Sequence, residues 1–342
     1  MKNKLTWILI CFSIPIAYIA WQIFGGTVQA PVNNFFYIKS NDSYRNVVFN
    51  LKQNGVLKTS YFFEILAKRA NYPQKIKAGR YEIKNNMSVY ALLKMLKQGN
   101  QAPVKLVINK LRIKEDLGQK IIKNFDIDST TVTTFLNSND SLAKYGVDTN
   151  TLISMLIPNT YTYNWNTSMP KIFAKLKAEQ QLFWNVDRKE KAAKKNLTTL
   201  QVYTLASIVE EETNKAEDKP LIASVYSNRL QRGEKLQADP TVKYAMKDFG
   251  LKRILYTHLK FASPYNTYYT TGLPPGPICT PSALTIDAVL NAPTTNYMFF
   301  VAKPDFKGYS NFAETYEQHQ IYAKQYQQAL NEYLKNKDTI NR

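Results

Sequence analysis

Cysteine and histidine are nearly missing from this chain: two of each occur in 342 residues. Cys11 sits inside an apolar N-terminal run, so beyond that run Cys279 stands alone and cannot form an intramolecular disulfide. His258 and His319 belong to no His-x-x-Glu-His, and no Cys-x-x-Cys occurs, so zinc hydrolysis has no ligand set and no metal or cofactor is expected. A Gly-x-Ser-x-Gly elbow is absent, and Cys279 has no evident histidine partner for thiol chemistry. Acidic residues are scarce as well, 26 Asp+Glu against 45 Lys+Arg, for a formal charge of +19. Such a charge suits nucleic acid, anionic lipid or an acidic wall polymer, and alone does not choose among them. With no zinc-finger spacing, aromatic RNA-binding signature or arginine-rich tract, nucleic acid is not the expected partner. The densest basic run, Arg-Lys-Glu-Lys-Ala-Ala-Lys-Lys at 188–195, reads as a solvated helical face. Glycine (12) and proline (15) are too few to suggest disorder, while 44% hydrophobic residues can build cores for about two domains. No internal repeat is present.

The N-terminus supplies a topology. Residues 5–24 carry no charge, which matches a hydrocarbon core of ~30 Å as one helix. Lys2 and Lys4 precede this span, and residues 25–34 are uncharged, so the positive-inside rule leaves residues 1–4 in the cytoplasm and the remainder outside. The rival is a cleavable signal peptide ending at Val28-Gln29-Ala30. The apolar stretch exceeds the usual core of ~7–15 residues, and Pro31 would follow the cut directly. A retained single-pass anchor at 5–24 with a linker at 25–34 is the expectation.

The fold class expected of the rest is α+β, in two domains at 35–110 and 111–342. In the first, Phe35-Phe36-Tyr37-Ile38 and Gly79-Arg80-Tyr81-Glu82-Ile83 read as strands. Two short amphipathic helices fall between them, joined near Asn54-Gly55. Ser88 caps a further helix that Gly99 ends, and Val104-Lys105-Leu106-Val107-Ile108 is a third strand. This small domain resembles the LysM-like subdomain that accompanies certain wall-acting enzymes. In the second domain, helices are expected over 117–127, 130–136, 170–184, 199–213 and 220–231, with a proline-bearing turn at Leu156-Ile157-Pro158-Asn159-Thr160-Tyr161 and loops beyond Leu236.

One helix carries an anomaly. In Leu-Ala-Ser-Ile-Val-Glu-Glu-Glu-Thr at 205–213, a spacing of ~100° per residue gathers Leu205, Ile208 and Val209 on one face and puts Glu212 in its middle. Glu210 and Glu211 point to solvent by default. A carboxyl set among hydrophobes is costly to ionise, so its pKa rises, which keeps a transferable proton near neutral pH. A helix end frayed into water would produce the same string of glutamates without that chemistry.

Three loops follow this helix. They are Leu236-Gln237-Ala238-Asp239-Pro240-Thr241-Val242, Ser263-Pro264-Tyr265-Asn266-Thr267-Tyr268 and Gly272-Leu273-Pro274-Pro275-Gly276-Pro277-Ile278. Prolines between glycines stiffen a cleft wall, while tyrosine rings, amides and hydroxyls suit sugars. In this order, with Asn228-Arg229-Leu230, the segments resemble the endolytic murein transglycosylase (YceG-like) family over about residues 156–322. One departure is Ile157-Pro158-Asn159-Thr160-Tyr161, where the family often has Phe-Pro-Asp-Thr-Tyr. The resemblance implies cleavage within peptidoglycan glycan strands to leave 1,6-anhydro-muramyl ends, an inner-membrane location with the catalytic domain outside the cytoplasm, and membrane-bound peptidoglycan synthases as partners. Gln237, Asp239, Thr241, Tyr265, Asn266, Thr267 and Tyr268 are then the expected glycan contacts.

An ordinary glycosidase needs two carboxylates, ~5–5.5 Å or ~6.5–9.5 Å apart. A lytic transglycosylase can use one, because the sugar's own C6 hydroxyl is the nucleophile. Glu212 is the expected acid; the motif, ending Glu-x-Glu-Thr, also admits Glu210. A non-catalytic scaffold that binds peptidoglycan, and a muramidase using Asp239 as second carboxylate, stand as alternatives.

Overall fold

Local signals in the sequence account for most of the helix ends and the first strand pairing. The computed structural model describes the backbone of residues 2–340 and the side chains of residues 13–335. Helix α1 (Lys2–Phe24) leads to strand β1 (Phe35–Ile38), helices α2 (Tyr44–Gln53) and α3 (Tyr61–Arg69), strand β2 (Gly79–Glu82), helix α4 (Val89–Gln98) and strand β3 (Val104–Ile108). Helices α5 (Lys114–Asn124), α6 (Ser129–Asn137) and α7 (Asn139–Ala143) precede strand β4 (Asn159–Tyr163), which pairs with β3. The remaining elements are α8 (Met169–Phe183), α9 (Val186–Lys194), α10 (Thr199–Glu212), α11 (Asp218–Gln231), α12 (Asp239–Met246), α13 (Tyr256–Leu259), α14 (Ala283–Leu290), the hairpin β5 (Phe299–Ala302) and β6 (Ser310–Ala313), and α15 (Tyr316–Ile340). The mixed α+β class is as expected.

Two compact units result. The first comprises Met1–Leu106, Ile121–Asp128 and Tyr161–Met169. Its β1 and β2 pair antiparallel, with Phe35 opposite Glu82 and Ile38 opposite Gly79. Alternation along β1 sends Phe36 and Ile38 inward, where they meet Val47, Leu51, Phe63, Leu92 and Leu96 in one core. Ser88 caps α4 by accepting the Ala91 N–H, and Gly99, at φ 76°, closes it in the left-handed region that glycine tolerates.

The expected anchor at 5–24 falls within α1. Side chains of residues 1–12 lie outside the described set, and among the described residues no helix is long and apolar enough to cross a membrane. Among the described residues, then, no transmembrane helix matches that expectation.

The second unit holds Val107–Lys120, Ser129–Thr160 and Pro170–Arg342. At its centre α10 packs on α14 and α11. Thr198 starts α10 with a capping box, accepting from the Gln201 N–H while the Gln201 side chain accepts from the Thr198 N–H. All eight residues from Val202 to Val209 are buried, so α10 is covered all round rather than along one stripe. Thr213 turns to extended backbone and ends the helix immediately after Glu212. Sequence periodicity did not reveal α12, α14, the β5–β6 hairpin or α15, and the expected turn at 156–161 runs into strand β4, where pairing with β3 extends the backbone.

Candidate active site

The three glutamates at the end of α10 enter three different environments. Glu210 forms a 2.7 Å ion pair with the buried ammonium of Lys219, on the first turn of α11. Its Oε2 also accepts from Ser282 Oγ at 3.1 Å and from Thr285 Oγ1, and Lys219 donates to Thr285 as well. Ser282 is the N-cap of α14 and Thr285 lies in its first turn, so this cluster ties three helices together. Burial pushes the Glu210 carboxyl up, but the Lys219, Thr285 and Ser282 bonds outweigh it and hold the group ionised below the ordinary glutamate range. Glu211 pairs with Lys110 at 2.8 Å and Arg112 at 3.2 Å. Neither carboxylate faces open solvent, contrary to the expectation from the helical wheel.

Among the described residues Glu212 has no cationic partner at hydrogen-bond distance. Its residue surface is half-buried, yet its carboxyl is enclosed. Burial is the main force pushing its pKa up, to about 7, with the nearby Asp239 and Glu211 charges adding to the rise. Two groups oppose it: the Tyr226 phenol, which donates to Glu212 Oε1 at 2.6 Å, and the more distant Arg229 guanidinium. The last residue of a helix also lies at the negative end of its dipole, which disfavours a further negative charge. Tyr226 is itself buried, and burial followed by the Glu212 charge holds its phenol protonated far above the usual range. Arg229 is fixed by donating to Met298 O at 2.9 Å and Leu236 O at 2.6 Å. Tyr226 and Arg229, three residues apart, lie on the same side of α11.

Asp239 opens α12 and is exposed, and it accepts from the half-buried Tyr268 phenol at 2.7 Å. The site thus holds two phenol–carboxyl pairs, one enclosed and one open. Gln237 is exposed and sits at φ 54°, in the left-handed region. Tyr265 is half-buried and rests against the Tyr244 ring, with centroids 4.7 Å apart.

Three of the expected sugar contacts are placed elsewhere. Asn266 is fully buried; its amide donates to Leu259 O (2.9 Å) and Phe261 O (2.8 Å), and its oxygen accepts from the Tyr268 N–H (2.9 Å). Thr241 and Thr267 are also fully buried, with their hydroxyls 2.9 Å apart. Thr241 donates to Ala238 O, Ala238 N–H donates to Thr267 Oγ1, and Thr267 N–H donates to Thr241 Oγ1. These three residues tie the 237–241 and 266–268 segments together, their side-chain polar groups buried and bonded within the protein. Turn residues with polar side chains look alike in sequence whether they face a ligand or a neighbouring backbone.

The proline-rich loop is held by α10. Ser207 Oγ accepts from Ile278 N–H at 3.0 Å, and the buried Cys279 thiol, its pKa pushed up by burial, contacts Ser207 O at 3.4 Å. Among the described residues no three His, Cys, Asp or Glu side chains converge as a metal site would require.

Residues 36–325 match the model of the YceG-like family. The chain belongs to this family. Among YceG-like relatives, an endolytic murein transglycosylase of Bacillus subtilis (strain 168) is 30% identical over 316 residues, covering 86% of this chain and 85% of that protein. A second, from Streptococcus pneumoniae (strain ATCC BAA-255 / R6), is 28% identical over 304 residues; the match covers 78% of this chain and 53% of the pneumococcal protein, about half its length. The crystal structure at 2.6 Å of a yceG-like protein from Listeria monocytogenes aligns with a TM-score of 0.55 at 26% identity, over 84% of this chain and 97% of that one. Within this YceG-like chain, Tyr226, Lys219, Ser282 and Thr285 were not singled out from sequence. Tyr226 reads there as one more hydrophobe beside Ile222 and Val225, and its polar end shows only once α10 and α11 are packed.

Proposed function

We propose that this chain is an endolytic murein transglycosylase that cuts within peptidoglycan glycan strands, with Glu212 as its one essential carboxyl. The observation that carries the reading is the enclosed Glu212 carboxyl, lacking a cationic partner and pushed up to about 7, with a phenol fixed on one oxygen. Tyr226 occupies Oε1, so the proton rides on Oε2. Glu212 transfers that proton to the glycosidic oxygen as the C1–O bond breaks, leaving an oxocarbenium-like sugar. The resulting carboxylate is stabilised by the Tyr226 hydrogen bond and the Arg229 field. It then takes the proton of the sugar's C6 hydroxyl while O6 closes on C1. Glu212 ends protonated, no water is consumed, and one product carries a 1,6-anhydro ring. Exposed Gln237 and Asp239, with Tyr268, are the groups we assign to the bound glycan. Asp239 acts by its charge rather than as a nucleophile.

Two further points rest on sequence alone. The uncharged residues 5–24 behind Lys2 and Lys4 support a retained anchor that holds residues 35–110, a LysM-like domain, and residues 111–342, the catalytic domain, outside the cytoplasm beside membrane-bound peptidoglycan synthases. N-terminal sequencing of protein extracted from membranes would find the start intact; a mature start at Pro31 overturns the anchor. For the reaction, purified glycan strands are digested and the products weighed. Ends lighter by one water than hydrolysis products support the reading, reducing ends indicate a two-carboxylate muramidase, and no cleavage indicates a scaffold.

A further inference from the structure

A cavity of about 880 Å³ in the second unit is not lined by Glu212, Tyr226, Asp239 or Tyr268. At ~100° per residue, the lining residues Ser224, Ser227, Asn228 and Gln231 lie on the side of α11 away from Tyr226 and Arg229, and of the α11 lining residues Leu230 alone turns toward the Tyr226 side. The first half of α10, the end of α9 and the residues just after it, residues 272–275, and Leu290 with residues 292–294 complete the walls. The groove is therefore separate from the proposed reaction centre, although both use α10 and α11.

Its lining has a definite chemistry. Lys191, Lys194 and Lys195 contribute to it, and no Asp or Glu does. Lys191 is paired at 2.9 Å with Asp187, one helical turn back. Lys194 is exposed, and among the described residues no carboxylate pairs with it. Lys195 is half-buried; its ammonium donates to Ala292 O at 2.8 Å but among the described residues meets no carboxylate, and burial pulls its pKa below the usual lysine value. A partly desolvated ammonium without a counter-ion favours an incoming anion. Gln201 offers its NH₂ group, since its oxygen already accepts from Thr198 N–H. Leucines and prolines, among them Leu200 and Leu273, face these polar groups.

A simple anion would need only the lysines, and the rest of the groove discriminates further. No aromatic ring lines it, so it lacks the platform on which nucleobases stack and the ring faces that sugars use. Amide donors beside aliphatic walls match a peptide backbone with small side chains, and the volume falls within the ~300–1,000 Å³ of ligand sites. We propose that this groove binds a short acidic peptide, its carboxylates set toward Lys194 and Lys195 and its aliphatic side chains against the leucine–proline wall. A glycan bearing acidic peptides would present such a ligand, but the binding does not depend on the reaction assigned to Glu212.

The test is fluorescence anisotropy on the full chain. The probe is a labelled pentapeptide of four alanines and one glutamate with a free C-terminus, and the control is its glutamine, C-terminally amidated counterpart. Saturable binding of the acidic peptide is expected, with little binding of the control. Lys194→Glu and Leu200→Glu, both at exposed positions, should each weaken binding at least about fivefold while melting as the parent does. Glu212→Gln should bind the peptide unchanged, which separates failure of this site from failure of the reaction. Absence of saturable binding, equal binding of the control, parental affinity in both groove variants, or equal competition by inorganic phosphate or a single-stranded oligonucleotide would each overturn the proposal.

Discussion

At the scale of the residue, neighbouring glutamates differ because of what surrounds each carboxyl. Glu210, with Lys219 and two hydroxyls, is held ionised; Glu212, with a phenol and low polarity, is held near neutrality. Glu212→Gln keeps the shape and removes the transferable proton, so turnover should fall by ~10²–10⁴ or more. Its stability effect has a defined sign. The folded pKa lies above the unfolded one, so the native state binds the extra proton between about 4.5 and 7, and stability declines as pH rises through that window. Glu212→Gln should therefore be more stable than the parent to denaturant at pH 8, by no more than about 3 kcal/mol, and close to it at pH 4. The two phenol–carboxyl pairs make opposed predictions for the alkaline limb of kcat/KM. Tyr226→Phe removes a bond to ionised Glu212 and should shift that limb to higher pH. Asp239→Asn removes a neighbouring negative charge and should shift it lower while leaving the anhydro product. Limbs that stay in place in both variants would disconnect Glu212 from the pH profile.

Among the elements, α10, α11 and α14 decide the geometry, and the Glu210–Lys219–Ser282–Thr285 cluster fixes their mutual placement. Glu210→Gln leaves the Lys219 ammonium buried without a counter-ion, which should cost about 3–5 kcal/mol by denaturant unfolding. The double variant Glu210→Gln, Lys219→Met should recover part of it. The folded fraction of Glu210→Gln should still make anhydro ends; complete loss of chemistry in well-folded protein would move the acid to Glu210. Because the folded pKa of Glu210 lies below its unfolded value, the stability it confers is present above the ordinary glutamate pKa and lost on acidification. The proline-rich loop has its own constraint. A Cβ at Gly276 would stand 2.4 Å from the Asn150 carbonyl oxygen, so Gly276→Ala must displace backbone and should destabilise by about 1–3 kcal/mol. Gly272, at φ 83° with open space around it, should tolerate alanine less for its backbone angle than for any clash.

For the whole molecule, the +19 charge bears on how an acidic wall polymer is met. Attraction between exposed lysines and such a polymer is screened within ~8–10 Å at physiological salt. Binding to peptidoglycan sacculi should weaken steeply as salt rises from 50 to 500 mM, while the Glu212 pKa, set by burial, should hardly move. Salt-independent sacculus binding would remove charge from the recognition. The charge does not form one solvated coat. The basic run at 188–195 lies on and just beyond α9, where Lys191, Lys194 and Lys195 line the groove beside α11.

The sequence by itself determined the order of strands and helices over residues 35–108, the bounds of α10, the family, and the anomaly at Glu212. Each of these rests on local period, caps or contiguous motifs. Its helical wheel pointed to Glu212 for an incomplete reason, because α10 is buried on every side and Glu210 and Glu211 are enclosed too. Only tertiary packing decided which glutamate meets a lysine and which a phenol, since Lys219, Tyr226, Ser282 and Thr285 approach α10 from other helices. Packing likewise turned Thr241, Asn266 and Thr267 inward. A polar side chain in a turn can satisfy a ligand or a neighbouring backbone, and the chain's path in three dimensions selects which.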